Sequence, residues 1–260
     1  MESLSRWFDR FFFPPPRPAQ PSGGLVCTVI GSGGKTSLIW LLAQSQRRRK
    51  VLVSPTTKMY PPSPELRHCD RYFPGGKIPA PPRPGVTLAG VLNKETGKLE
   101  PPGELEALVS RYDLTLLEGD GSGGLPLKGW ADHEPVVPPY TAVTVGVIPV
   151  TPLGEKASAG IIFRLPRFTR LSGAHEGDTL TPAHLAGVIT GNTGMPGGGG
   201  RGLFSAARGK KLLFFNQVED EARLDQARAT ATLLPEDFTA GLAGIIAGSV
   251  ERDRAEVLYP

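Results

Sequence analysis

The sequence predicts an α/β fold, with a mostly parallel sheet flanked by helices and long Gly/Pro-rich loops between them. Three observations carry this. Short apolar, β-branched runs recur along the chain at Leu25–Ile30, Val51–Val53, Leu114–Leu117, Thr141–Val150 and Leu212–Phe215, the pattern of strands buried on both faces. Helical periodicity follows several of them. Glycine (33) and proline (27) together approach a quarter of the 260 residues, which assigns much of the remainder to loops.

The first 24 residues stand apart from the α/β unit expected over 25–260. Leu4, Trp7, Phe8, Phe11 and Phe12 recur at helical spacing, so Met1–Phe13 reads as a short amphipathic helix suited to docking on the body. A partner or a membrane surface would also accept such a face. Pro14–Gly24, with five prolines and two glycines, is a linker.

Leu25–Ile30 then leads into Gly31-Ser32-Gly33-Gly34-Lys35-Thr36-Ser37, and apolar residues at 38, 39, 41 and 42 follow. Strand, glycine loop, Lys-Thr and helix together make a phosphate cradle. Glycines leave the backbone amides open, the helix N-terminus favours an anion, Lys35 reaches terminal phosphates and the Thr36 hydroxyl suits Mg²⁺. The full pattern G-x-x-x-x-G-K-[ST] would begin at position 29, which is Val29; the loop is the shorter G-x-G-G-K-T form, similar to that of Mur-type ligases. These features specify a P-loop NTPase-like core with ATP or GTP and Mg²⁺ as cofactors.

Val51–Val53 is the second strand. Thr56, Thr57 and Lys58 lie just past it, at the sheet edge where ligands of open α/β folds sit, and suggest a magnesium or phosphate contact. Residues 60–86 form a proline-rich excursion. It contains Cys69 beside His68 and between Arg67 and Arg71, neighbours that would lower the thiol pKa if the loop turned toward the site. Cys27, within the first strand, should be inert. Two such cysteines make neither a disulfide framework nor a zinc pattern, and a reducing cytoplasm is the expected setting. Val86–Asn93 reads as a strand and Glu104–Val109 as a helix.

Tyr112–Gly121 is a hydrophobic strand ending in Glu118-Gly-Asp120, the Walker B arrangement that puts a carboxylate beside the phosphate loop. If the strand persists, both carboxylates point the same way, one for metal and one to orient a water or an acceptor. Lys128, His133 and Glu134 follow in a loop, where a histidine beside a carboxylate can move protons near neutral pH.

Residues 151–186 read as loop-rich, with a cationic patch at Arg164, Arg167 and Arg170. Thr181-Pro182 opens a short helix as N-cap and first turn. Gly191–Gly202, with seven glycines, is a loop. Lys211–Phe215 is a late strand ending in Asn216-Gln217-Val218-Glu219, a degraded form of the guanine-reading N-K-x-D in which Gln217 replaces the lysine and Glu219 the aspartate. Asn216 is the residue of that run expected at the nucleotide. A helix over Glu221–Leu234 and a final strand over Leu242–Gly248 complete the unit.

A net charge of +4 is modest, and the Arg47–Lys50 run suits the solvated end of a helix, so nucleic acid is not an expected partner. No stretch approaches the roughly 20 apolar residues of a membrane span.

G-S-G-G-K-T-S, V-S-P-T-T-K-M and L-E-G-D-G-S with P-L-K and D-H-E-P-V-V-P, in that order, resemble the YqeC family, most specifically over residues 118–138. Its members usually carry T-T-T-K where this chain has Pro55-Thr56-Thr57-Lys58, and often His-Arg where this chain has Phe163-Arg164. The resemblance implies an accessory protein for selenium-dependent molybdenum hydroxylases. Nucleotide turnover would then drive cofactor maturation, with the hydroxylase or its cofactor as partner and Lys128, His133 and Glu134 facing the second substrate. The alternatives are an ATP-dependent ligase or kinase acting on a small acid, and a nucleotide-gated chaperone without catalysis.

Overall fold

A computed structural model describes residues 1–14, 24–62, 68–78, 82–191 and 200–259. In chain order the elements are α1 (Leu4–Phe12), β1 (Leu25–Gly31), α2 (Lys35–Ser45), β2 (Lys50–Pro55), β3 (Arg71–Phe73), β4 (Gly85–Ala89), β5 (Val91–Asn93) and β6 (Lys98–Glu100). Then come α3 (Leu105–Val109), β7 (Leu114–Glu118), β8 (Leu127–Lys128), β9 (Val143–Pro149), β10 (Ile162–Phe163), α4 (Leu165–Ser172) and α5 (Pro182–Thr190). β11 (Lys210–Asn216), α6 (Glu221–Thr232), α7 (Glu236–Ala240), β12 (Gly244–Ser249) and β13 (Arg254–Tyr259) complete the chain. Most of the proline linker, Arg67 and most of the glycine loop after Gly191 lie outside the described residues.

One nine-stranded sheet runs in the order β13-β12-β11-β9-β1-β7-β2-β4-β3. Every pairing in it is parallel except β12 with β13. The period-2 alternation of β1 sends Cys27 and Val29 to one face and Val26 and Ile30 to the other. The first face is covered by α2 through Leu38, Ile39 and Leu42, with α1 adding Leu4, Phe8 and Phe12 to the same core. Opposite, α3 covers the β2–β7 half, and α4, α5 and α6 cover the β9–β12 half. This is the α/β architecture the apolar runs predict, with its helices on both faces.

The N-terminal helix is fastened to the far edge of the sheet. Its apolar side lies on the body, and Asp253, in the turn before β13, accepts from Ser3 Oγ (2.8 Å), Ser5 N (2.7 Å) and Ser5 Oγ (2.9 Å). α5 begins as expected, with Thr181 as N-cap in a capping box with His184.

Three expectations change. The segment read as loop-rich contains α4, whose Leu165, Phe168 and Leu171 are buried at helical spacing while Arg167 and Arg170 take the outer side; the arginines masked that period. The strand expected over 86–93 divides into β4 and the short β5, which pairs with β6 as a separate hairpin. Leu242–Gly248 is not the last strand, because β13 adds antiparallel outside β12.

The crossover leaving β1 runs toward the β7–β2 side, and the one leaving β9 runs toward β11. Their divergence is the topological switch at which open α/β sheets hold ligands. The glycine loop, Glu118, Thr56 and Asn216 all lie at this carboxyl edge.

Candidate functional site

The loop after β1 folds as a tight cradle, and its glycines are required by space as well as by φ. Gly31 has φ +102°, and a Cβ there would lie 2.1 Å from Val147 O. Gly34, the αL residue capping α2, has φ +115°, and a Cβ would lie 2.2 Å from Asn216 Nδ2. No side chain caps α2. Among the described residues, the amides of residues 33–37 donate to no protein acceptor, leaving a row of N–H groups at a helix N-terminus. They border a cleft of about 530 Å³ whose walls include Lys35, Thr36, Glu118, Lys58, Lys98 and Gln217.

Lys35 is 5% exposed and folded back, its Nζ donating to Gly31 O (2.8 Å) and lying 3.5 Å from Asp120 Oδ1. Thr36 Oγ1 donates to Glu118 Oε2 at 2.7 Å. Burial pushes the Glu118 carboxyl up; the Lys35 charge and the Thr36 hydrogen bond oppose that shift without cancelling it.

The two carboxylates after β7 do not act on one spot, because the strand stops at Glu118. Gly119 continues onto β1 through its N–H to Val29 O, and a Cβ there would meet Ile30 Cγ2 at 2.6 Å. Asp120 then turns beneath the loop and is fully buried. Its oxygens accept from Gly31 N (3.0 and 3.2 Å), Lys128 Nζ (3.1 Å) and Trp130 Nε1 (2.8 Å). Asp120 thus pins the start of the glycine loop to the segment after β7.

Lys128 is equally enclosed. Its Nζ donates to Gly121 O (2.6 Å), Asp120 and Glu134 Oε2 (2.9 Å), which uses all three N–H groups. Glu134 also accepts from both terminal nitrogens of Arg164. Burial alone would raise the Glu134 carboxyl, but the Arg164 hydrogen bond and Lys128 outweigh it and hold it below the usual carboxylate range. His133, unlike its two expected companions, is exposed.

A second cleft of about 490 Å³ abuts the first. Lys58, Lys98, Gly121 and Gly123 line both. Thr57, His133, Glu134, Phe163 and Arg164 line the second. Thr56 is tied down, its N–H donating to Glu118 O (2.9 Å) and its Oγ1 to Val136 O (2.7 Å). Thr57 Oγ1 is buried without a partner, and Lys58 pairs with Glu100 at 3.0 Å. Ser32 is buried, with its hydroxyl also unpartnered, while Ser37 is exposed at the first cleft.

Asn216 meets the loop, but as a brace. Its Nδ2 donates to Gly33 O (2.8 Å) and its Oδ1 accepts from Val250 N (3.1 Å). Glu219 accepts from Ser249 Oγ and pairs with Arg252, so its carboxylate is occupied. Among the described residues no three His, Cys, Asp or Glu side chains gather as a metal cluster.

The structure brings together residues that motif spacing did not mark. Lys98 sits on the β5–β6 hairpin, docked by a bridge between Leu99 and Met59, and nothing local in the sequence signals it. Trp130 lies within residues 118–138 and Arg164 within the cationic patch, where an indole N–H near an acid and an arginine after an aromatic were the available signals. The cysteines are remote in chemistry. Burial raises the thiol pKa of both, and Asp70 raises Cys69 further, so the lowering that would follow if the loop turned toward the site is not seen. His68 stacks on Trp40, and Arg71 turns to Thr87 and to the carbonyls of Arg83 and Pro84.

No helix of the described residues is long and apolar enough to cross a membrane. The protein-family model of the YqeC protein matches residues 27–166, a span holding every residue of the two clefts named above except Gln217. Over 177 residues the chain is 32% identical to "Uncharacterized protein YqeC" of Escherichia coli (strain K12), covering 63% of this chain and 67% of that protein. With its glycine loop, Glu118-Gly-Asp120 turn and 128–134 loop all inside the matched span, the chain belongs to the YqeC family.

Proposed function

We propose that the chain is a magnesium-dependent nucleotide-binding protein, with ATP or GTP phosphates in the first cleft and a second ligand in the cleft beside it. The observation that carries this reading is the row of amides at 33–37, open at the start of α2 beside Lys35 and the Thr36–Glu118 pair. A hydroxyl and a carboxylate are hard oxygen donors. They fit Mg²⁺, which takes few protein ligands and completes its shell with phosphates and water. Bound there, the ion would neutralise phosphate charge. Thr36 and Glu118 would hold it, Lys35 would exchange Gly31 O for a phosphate oxygen, and Asp120 would keep the loop in place. Asp120 is better suited to positioning than to metal because its oxygens are already used.

In this reading the nucleotide step serves maturation of a selenium-dependent molybdenum hydroxylase, as the family resemblance implies, with the enzyme or its cofactor as partner. The shared wall of the two clefts favours a second reading, an ATP-dependent ligase or kinase. Product mass separates the two, since a ligase or kinase leaves a covalently altered second substrate.

The test is calorimetry with ATP and Mg²⁺. Lys35→Ala should weaken binding at least tenfold, because a charge-assisted contact is worth about 1.5 to 3 kcal/mol. Its circular dichroism should stay that of the parent. Unchanged affinity would defeat the assignment.

A further inference from the structure

A chain of alternating charges runs under the floor of both clefts. Lys35 Nζ lies 3.5 Å from Asp120 Oδ1, Lys128 Nζ lies 3.1 Å from Asp120 Oδ2 and 2.9 Å from Glu134 Oε2, and Glu134 is paired with Arg164. The chain holds three cations and two carboxylates, and both of its ends are cations. Lys35 ends it at the phosphate loop and Arg164 ends it at the second cleft.

Its middle members are closed to ligands. The side chains of Asp120 and Lys128 are 0% exposed, whereas that of Arg164 is 28% exposed. Glu134 divides its charge between Lys128 and Arg164, so the guanidinium is held in place without being neutralised. Its backbone is committed too. Arg164 has φ +57°, in the left-handed region that favours glycine. Its guanidinium carbon lies over the Phe163 ring, 4.5 Å from the centroid, at the wall of the cleft.

Lys98, another residue lining this cleft, adds to the surplus. Lys98 makes no ion pair among the described residues, and its Nζ rests over the Tyr60 ring. A lysine without an ion pair and a guanidinium that shares its one carboxylate with Lys128, around a space bounded by an aromatic ring, describe a receptor for an anion with an organic body.

We infer that the second cleft is a carboxylate site: Arg164 and Lys98 take the carboxylate of a small organic acid, whose body lies along Phe163. Glu134 takes two of the five guanidinium N–H groups of Arg164, and those that remain can donate to a ligand carboxylate. The inference deepens the two-cleft reading given above and rests on it only for the purpose of the site, not for its chemistry.

The experiment is ¹⁹F NMR on the full chain, with ADP and Mg²⁺ present to fill the phosphate loop. The probes are trifluoroacetate and 4-fluorobenzoate, each against its uncharged amide. The expected result is carboxylate binding at least tenfold tighter than the amide. Arg164→Gly, which suits the left-handed backbone, should remove that preference. Lys98→Ala, on the hairpin and away from Glu134, should weaken it several-fold with Glu134 still paired. Arg48→Ala, remote at the end of α2, should change nothing. Equal binding of acid and amide, or a preference that survives both Arg164→Gly and Lys98→Ala, overturns the carboxylate site. Nucleotide affinity is measured on the same samples. Selective carboxylate binding without nucleotide binding would sink the phosphate-loop reading and leave this inference standing; nucleotide binding without carboxylate selectivity would do the reverse.

Discussion

Glu118 and Asp120 stand two residues apart and meet opposite surroundings, which gives each its own test. Burial holds the Glu118 proton to higher pH in the folded chain than in the unfolded one. Unfolding therefore releases a proton between the ordinary carboxylate range and the raised folded value. Stability must fall as pH rises across that window and level off above it. Glu118→Gln should remove this slope, since its amide oxygen can still accept from Thr36. Urea titrations of parent and variant across the window, without divalent cation, check it; identical slopes would contradict the shift. Asp120 is the opposite case, a buried anion among donors. Asp120→Asn leaves Lys128 short of a counter-charge and turns an amide NH₂ toward N–H groups, so it should cost roughly 3 to 5 kcal/mol of stability. A change below about 1 kcal/mol, well short of that range, would show that the charge chain is not held as described.

At the scale of elements, α1 and the β5–β6 hairpin are the two pieces added to the sheet and its covering helices. α1 belongs to the body because Leu4, Phe8 and Phe12 are buried in the same core as α2 and β1, and because Asp253 takes its N-terminal donors. Its apolar face is therefore spent on the protein itself. Phe8→Ala should destabilise the chain by about 3 to 5 kcal/mol and expose the first 14 residues to protease. Unchanged stability with early cleavage would mean that α1 docks without contributing to the core. The hairpin works differently: bridges from Leu99 to Met59 and from Val91 to Gly75, with the Lys58–Glu100 pair, hold it, and it brings Lys98 to the wall shared by both clefts.

For the whole molecule, the carboxyl edge of the sheet gathers the ends of β1, β2, β7 and β11, and the arrangement there bears on the base preference of the nucleotide proposed for the first cleft. β11 delivers Asn216 to Gly33 O as a brace and Gln217 to the first cleft, while Glu219 is taken by Ser249 and Arg252. The Glu219 carboxylate is therefore not free to grip a guanine edge. ATP and GTP should compete within tenfold of one another, or ATP should win. GTP bound more than about tenfold tighter, some 1.4 kcal/mol, would require Glu219 to leave its partners.

The sequence by itself determined the parallel α/β plan, the glycine loop with Lys35 and Thr36, the acidic turn after β7 and the cap of α5. Each is set by neighbours in the chain: alternation along a strand, φ at a glycine, a hydroxyl before a first helical turn. It did not reveal α4, because Arg167 and Arg170 hide the period of Leu165, Phe168 and Leu171. Only the tertiary structure decided that Lys128 and Glu134 are buried supports while His133 faces solvent. The three lie within seven residues, and their roles follow from Asp120 and Arg164, which approach from other elements. Lys98 belongs to the same class. A cation's function depends on which carboxylates reach it, and that is a distance through space which local sequence does not encode.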